Sequence, residues 1–300
     1  MDYKCVDVEK TYHRFGSKNY YVGITQASLD FKTGEIIGIV GTSRSGKSTL
    51  IDILSGKVKP SEGELNYNGK EVSKVYSEVG IKLNKNLTVY DNMVVFGKKE
   101  KMSELDVENR MAQLRDVFDL HKYINTKVSE LDEINRVKSE LAMLLLSSPK
   151  ILFIDDAFLY LNYKNKNEIL KCLKRLNKQE RTIIIIAATQ VGDVEKIINR
   201  IIIVSKHKII YDDDILNFKN KYGTKKLFEI FLNKNVSINK IDGLEIVESS
   251  EYYYKLLFNN EAGMFAKVIN LFDVNNIVDL KIGDRNLSDV IDEMKQDAER

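Results

Sequence analysis

Apolar residues fall along this chain in distinct patterns, and each predicts a different element. Residues 36–40, 151–154 and 183–187 are continuous apolar runs. Such runs suit parallel strands covered on both faces rather than strands with one wet face. A fourth run, 201–204, leads into Ser205-Lys206-His207-Lys208 and another apolar pair, and reads as a hairpin. Between the first two runs the period changes. Val107, Met111, Leu114 and Phe118 fall on one helical face, as do Val137, Leu141, Leu144 and Leu145. The region from about 87 to 147 is therefore expected to be helical and inserted between two core strands, and the alternation of strands and helices predicts an α/β sheet. Upstream, residues 3–8 and 20–31 read as antiparallel strands, and Asn68-Gly69 is a hairpin turn signal. After about residue 221 a second module is expected: strands at 227–232, 244–248 and 252–258, a helix at 261–272, a strand at 277–282 and a closing helix at 287–294. The expected organisation is one domain over 1–221 and a small α+β domain over 222–300.

The first apolar run ends in a motif that carries chemistry. Gly41-Thr42-Ser43-Arg44-Ser45-Gly46-Lys47-Ser48-Thr49 has the form G-x-x-x-x-G-K-S, with a strand before it and the helical residues Leu50 to Leu54 after it. That context is what a phosphate-binding P-loop requires. Backbone N–H groups of such a loop converge on phosphates, and the helix N-terminus adds partial positive charge. Lys47 is placed to reach the β- and γ-phosphates, and the Ser48 hydroxyl to sit on Mg²⁺. The alternative is a tight strand-to-helix turn with a chance lysine. The second apolar run ends in Asp155-Asp156. Asp155 is placed to hold Mg²⁺ through its water shell, and Asp156 to orient an attacking water. The alternative is two solvated acids at a strand end, which the upstream P-loop makes the weaker reading.

Composition narrows the class. The chain has 300 residues, 43% of them hydrophobic, enough for one large domain with an appendage or for two domains. Charged residues make up 30%, yet the net charge is only +2, so there is no electrostatic case for a nucleic-acid partner. The two cysteines, Cys5 and Cys172, are far apart, which argues for a reducing compartment rather than a disulfide scaffold. The N-terminus carries no apolar secretory segment, and no apolar run approaches the ~20 residues of a membrane-spanning helix. If the protein serves a membrane, another chain crosses it.

With both motifs in place, the chain resembles an ATP-binding subunit of the ABC transporter family over roughly residues 2–218. Tyr12 resembles the aromatic that stacks on adenine. Residues 34–41 are close to the family's approach to the P-loop. Pro60-Ser61-Glu62-Gly63-Glu64 and Asn68-Gly69-Lys70 resemble the following hairpin, residues 87–92 the start of its helical subdomain, and Pro149-Lys150 the lead-in to its acidic strand. The tail, through residues 277–280 and 286–290, resembles the extension of ATPases paired with drug- and peptide-exporting permeases. The resemblance implies a P-loop NTPase cassette with a mixed-sheet core, an antiparallel β subdomain and an inserted helical subdomain. It implies ATP and Mg²⁺ as cofactors, residues 41–49 and Tyr12 as the nucleotide site, and Ser48 and Asp155 as the metal side. The partners implied are an integral-membrane permease and a second ATPase subunit, in a homodimer or heterodimer on the cytoplasmic face of the cell membrane. An exporter of peptide, lipid or drug is the implied transporter.

The departures from the family pattern are specific. Arg44 stands where a glycine is common. Leu131-Asp132-Glu133-Ile134-Asn135 occupies the place of the signature L-S-G-G-Q, and Asp132 and Glu133 would repel phosphate there. Asp156 replaces a glutamate, Gln190 stands in the place of the switch histidine, and residues 81–86 contain no glutamine. The three histidines, His13, His121 and His207, are expected to be surface or turn residues. Nucleotide binding with impaired hydrolysis is the expectation. An ATP-gated module without transport turnover is the second reading, and a small-molecule kinase a third that the strand hairpins, the helical insertion and Pro149-Lys150 disfavour.

Overall fold

A computed structural model of the chain describes residues 2–13, 19–67, 83–155, 161–238 and 241–297. These divide into two compact units, Met1–Asp212 and Asp213–Arg300.

The first unit opens with long strands β1 (Asp2–His13) and β2 (Tyr20–Lys32). They pair antiparallel, with register shifts along β1. The central strand β3 (Ile36–Val40) is buried at all its residues and runs into helix α1 (Lys47–Leu54). Strand β4 (Glu62–Tyr67) returns to pair with β1, giving a three-stranded sheet in the order β2-β1-β4. The expected turn at Asn68-Gly69 lies outside the described residues.

The inserted helical region is present. It contains α2 (Val89–Lys99), α3 (Glu104–Phe118) and α4 (Glu133–Leu144). The residues that predicted α3 and α4, among them Met111, Leu114, Phe118 and Leu141, are buried. Each start is fixed by a side chain that accepts a backbone N–H: Thr88 and Asp91 form a capping box at α2, Ser103 caps α3 and Asp132 caps α4.

Strand β5 (Ile151–Asp155), helix α5 (Tyr163–Glu180) and strand β6 (Ile183–Ala188) follow. Strand β7 (Arg200–Ser205) is joined to β8 (Lys208–Asp214) through Lys206 and His207 alone, so the expected hairpin forms. The five-stranded sheet has the order β5-β6-β3-β7-β8, and β5, β6, β3 and β7 are mutually parallel. Its residues Ile37, Ile39, Phe153 and Ile185 pack in one core with Leu50 and Leu54 of α1 and with Tyr3, Cys5, Leu29 and Phe31 of the antiparallel sheet. Helix α1 and the P-loop are thereby held by both sheets.

The second unit contains α6 (Ile215–Tyr222), β9 (Lys225–Leu232), β10 (Leu244–Ser250), β11 (Tyr253–Asn259), α7 (Met264–Ile269), β12 (Ile277–Asp284) and α8 (Leu287–Asp297). Its antiparallel sheet runs β10-β11-β9-β12. That is the strand order of a split βαβ unit. The residues between β9 and β10 carry no helix among those described; Val236, Ile238 and Ile241 pack there against the core of Phe228, Ile230, Leu256 and Phe258. Helix α7 is shorter than the expected 261–272, because Gly263, at φ 81°, sets its start at Met264.

Candidate functional site

The nucleotide-site candidates sit at the carboxyl end of β3, which pairs in parallel with β6 on one side and β7 on the other. Ligands of open α/β sheets bind outside the carboxyl ends of the strands. Gly41 leaves the strand with its N–H 3.4 Å from the carbonyl of Ala188. A Cβ at Gly41 would lie 2.3 Å from the carbonyl oxygen of Val204 and 2.6 Å from Ser45 Oγ, so only glycine fits. Gly46, at φ 110°, starts α1, and a Cβ there would meet the carbonyl oxygen of Gly23 at 2.5 Å.

Lys47 is buried, and its Nζ lies 2.9 Å from the carbonyl oxygen of Gly41 and 3.0 Å from that of Thr42. The ammonium is thus held over the loop it serves. Ser48 and Thr49 follow in the first turn of α1. In contrast to α2, α3, α4 and α5, helix α1 has no side-chain cap. The N–H groups of its first turn have no intrahelical acceptor and suit an external anion. Ser45 Oγ is buried with no hydrogen-bond partner among the described residues.

A cavity of about 410 Å³ opens on this loop. Arg44, Gly46, Lys47, Ser48 and Thr49 line one side of it. Tyr21, Val22 and Gly23 of β2 and His207 of the β7–β8 turn line the rest. Tyr12 stands beside it: its ring stacks on Tyr21 at 5.0 Å and 15°, and its Cε2 would be 2.7 Å from a Cβ on Gly23. Gly23 therefore leaves the gap between Tyr12 and Thr49. Thr42 and Ser43 complete the loop on its exposed side.

Asp155 ends β5. It pairs across β6 with Ala187, which in turn pairs with Ile39 of β3, so its carboxylate lies on the same rim of the sheet as the P-loop. Asp156 lies outside the described residues. Gln190 is exposed just past the end of β6, and its carbonyl accepts from the N–H of Asp193 at 3.2 Å. Of the residues 81–86, Leu83 and Asn84 are described. Asn84 is tied to α2 by Asn92, whose Oδ1 accepts from its N–H at 2.8 Å and whose Nδ2 donates to its carbonyl at 3.1 Å.

At the signature position the structure assigns Asp132 a local role. Its carboxylate accepts the N–H of Asn135 at 2.9 Å and caps α4. Asn135 is buried, and its carbonyl accepts from the Ser139 hydroxyl at 2.7 Å. A carboxylate at a helix N-terminus is favoured by the helix dipole. The end of α4 thus carries its own anion where a helix end would otherwise receive an outside one. His13 and His121 are exposed, as expected, and His121 Nε2 lies 2.7 Å from Asp116. His207 is in a turn, as expected, but that turn lies against the P-loop.

Residues 24–159 match the protein family described as "ABC transporter". The matched segment holds the P-loop and Asp155. Several curated relatives span most of the chain. The "Methionine import ATP-binding protein MetN" of Lactobacillus acidophilus is 28% identical over 258 residues, 79% of this chain and 72% of that protein. "Methionine import ATP-binding protein MetN 2" of Bacillus cereus is 24% identical over 299 residues, 92% of this chain and 87% of that protein. "ABC transporter ATP-binding protein NatA" of Bacillus subtilis is 23% identical over 234 residues, 74% of this chain and 95% of that protein. Among solved structures, the ATP-binding cassette MJ0796 in a dimeric post-hydrolysis state bound to ADP and Pi aligns with a TM-score of 0.61 and 23% identity, over 71% of this chain and 98% of that one. cbiO1 from Clostridium perfringens, part of the ABC transporter complex cbiONQ, aligns with a TM-score of 0.65 and 19% identity, over 73% of this chain and 90% of that one. The fold of the first unit is that of an ABC cassette.

ATP with Mg²⁺ is the ligand pair of the matched family, and the P-loop site fits it. The uncapped start of α1, the Lys47 ammonium, the orphaned Ser45 hydroxyl and the glycine-lined cavity are the features a triphosphate needs. Tyr21, Gly23 and His207 are the lining residues that motif reading does not reach. Tyr21 is hidden by its neighbour Tyr12. The one sequence signal for His207 is a two-residue hairpin turn of Lys-His, where asparagine and glycine are usual.

Proposed function

We propose that this chain is the ATP-binding subunit of a membrane ABC transporter, working beneath a permease and paired with a second ATPase subunit. The observation that carries the proposal is the P-loop cavity at the end of β3, in a segment that matches the ABC transporter family. Among the described residues no helix is long and apolar enough to cross a membrane.

In this reading Lys47 exchanges its contacts with the Gly41 and Thr42 carbonyls for the β- and γ-phosphates, and the first turn of α1 supplies N–H donors. Ser48 and Asp155 hold the metal, the stacked pair Tyr12 and Tyr21 offers an aromatic face to the base, and Asp156 and Gln190 occupy the places of the catalytic base and switch. ATP supplies the binding energy that closes the paired subunits and, when cleaved, the energy that reopens them. Turnover is proposed to be slow. Asp156 is one methylene short of the usual glutamate, Gln190 cannot take the part of an imidazole, and the Asp132 cap puts a carboxylate where the partner's γ-phosphate would dock.

For direction we favour import. The resemblance of the tail alone implies export, but it rests on a few residues, whereas a methionine import protein of Bacillus cereus aligns over 92% of this chain. Binding of a fluorescent ATP analogue should be lost in Lys47→Ala; retained binding would refute the site. Phosphate release from the purified protein, alone and with its permease, should be slow, and robust turnover abolished by Asp156→Asn would show the impairment to be misread.

A further inference from the structure

We infer that His207 is a nucleotide-contacting residue that accepts a hydrogen bond from the ribose of the bound nucleotide through Nε2. The inference rests on the reading of the P-loop cavity as an ATP site.

Lys206 and His207 are the two central residues of the β7–β8 hairpin, and both have positive φ, 43° and 64°. Such turns favour asparagine and glycine, because a side chain is strained in the left-handed region. Side chains persist there when the surroundings over-determine them, and such positions cluster at functional sites.

At His207 the surroundings are specific. Its N–H donates to the carbonyl of Ser45 in the P-loop at 2.9 Å. Its own carbonyl accepts from the N–H of Thr25 on β2 at 2.8 Å. Its Nδ1 lies 3.0 Å from the carbonyl oxygen of Gly23. The residue is thus pinned between the P-loop and β2, and it is one of the residues that line the cavity.

The ring contact fixes the chemistry. A carbonyl only accepts, so Nδ1 carries the proton. In the neutral imidazole Nε2 is then an acceptor. Nε2 has no hydrogen-bond partner among the described residues. Phosphate oxygens accept and cannot satisfy it, whereas ribose hydroxyls donate. The position agrees: Gly23 touches the Gly46 turn through its carbonyl and lies against the Tyr12 ring, and His207 Nδ1 contacts that same carbonyl, so His207 stands beside the span that the sugar of a nucleotide held at both ends would cross.

The test compares Mg-ADP with Mg-pyrophosphate, which has no sugar, on the full-length wild type, His207→Gly and His207→Asn. Both substitutions suit positive φ, which offsets the lost ring contact with Gly23, so thermal stability should change little. The expected result is about tenfold weaker ADP binding in both variants, with pyrophosphate binding unchanged. Wild-type affinity for ADP in either variant would overturn the inference. So would an equal loss for ADP and pyrophosphate, which would mark His207 as a support for the loop. As a measurement without substitution of a folded contact, the ring signals of the three histidines can be followed by NMR. Mg-ADP should move the His207 signals and leave those of His13 and His121 in place, and an unmoved His207 would refute the contact. If the wild type binds no nucleotide at all, the underlying site reading falls and the assignment with it. If the wild type binds and Lys47→Ala does not, the His207 result stands or fails by itself.

Discussion

Asp132 illustrates how one side chain can serve the fold and alter the chemistry. As a helix cap it satisfies the N–H of Asn135. Replacing such a cap by alanine costs about 1 kcal/mol, and serine replaces it almost without loss. Asp132→Ala is therefore expected to lower stability by about 1 kcal/mol in denaturant unfolding, and Asp132→Ser to leave it nearly unchanged. If the carboxylate repels the partner's phosphate, Asp132→Ser should also raise phosphate release in the assembled transporter. An unaltered rate would shift suspicion to Asp156 and Gln190. The acid at this position was plain in the sequence, but its capping role was not, because the same residue types serve caps and sites alike. His207 was illegible for another reason. Its neighbours Gly23 and Ser45 are remote in the chain, and only the folded sheet brings the turn to the loop.

At the scale of elements, runs of isoleucine and valine specified the buried strands well, since β3, β5 and β6 are almost wholly inaccessible. The helical faces were equally legible from their period. Strand order was not, because it depends on pairings that leave no local trace. The junction of the helical region with α5 depends on Arg110, whose guanidinium donates to the Leu145 carbonyl at 3.0 Å and to Glu180 at 2.8 Å. Arg110 is buried, so Arg110→Ala would leave both acceptors unmatched. We expect a loss of about 2–3 kcal/mol in chemical denaturation, with Arg110→Lys recovering part of it. A change within about 0.5 kcal/mol would show that the contact is replaced by water.

At the scale of the whole molecule, two properties are open to measurement. Burial pushes the Cys5 thiol from its ordinary 9.0 up to about 12, and burial also raises Cys172. A group held neutral in the folded state stabilises the fold fully below its unfolded pKa and loses that contribution as pH rises through the folded one. Stability should therefore fall between about pH 9 and 12, and Cys5→Ala should flatten that part of the profile in pH-dependent thermal unfolding. Both thiols should also resist alkylation in the native protein. The second property is independence. The nucleotide residues lie in the unit Met1–Asp212, so a chain ending at Asp214, which keeps β8 whole, should bind ATP with undiminished affinity. A folded fragment that has lost ATP would assign the second unit a part in the site.

The central place of β3 has a consequence for how the protein is made. The P-loop strand is complete by Val40, but its two neighbours are Ile183–Ala188 and Arg200–Ser205. On the ribosome it must wait, unpaired and strongly apolar, while the helical region is synthesised and folds from local contacts. Non-local pairing of this kind is slow and leaves edges exposed meanwhile. Nascent chains released before Arg200 should fail to retain ATP and should recruit chaperones. Chains released just beyond the β7–β8 turn should be the first to hold nucleotide, so that ATP capture marks the moment at which the sheet closes.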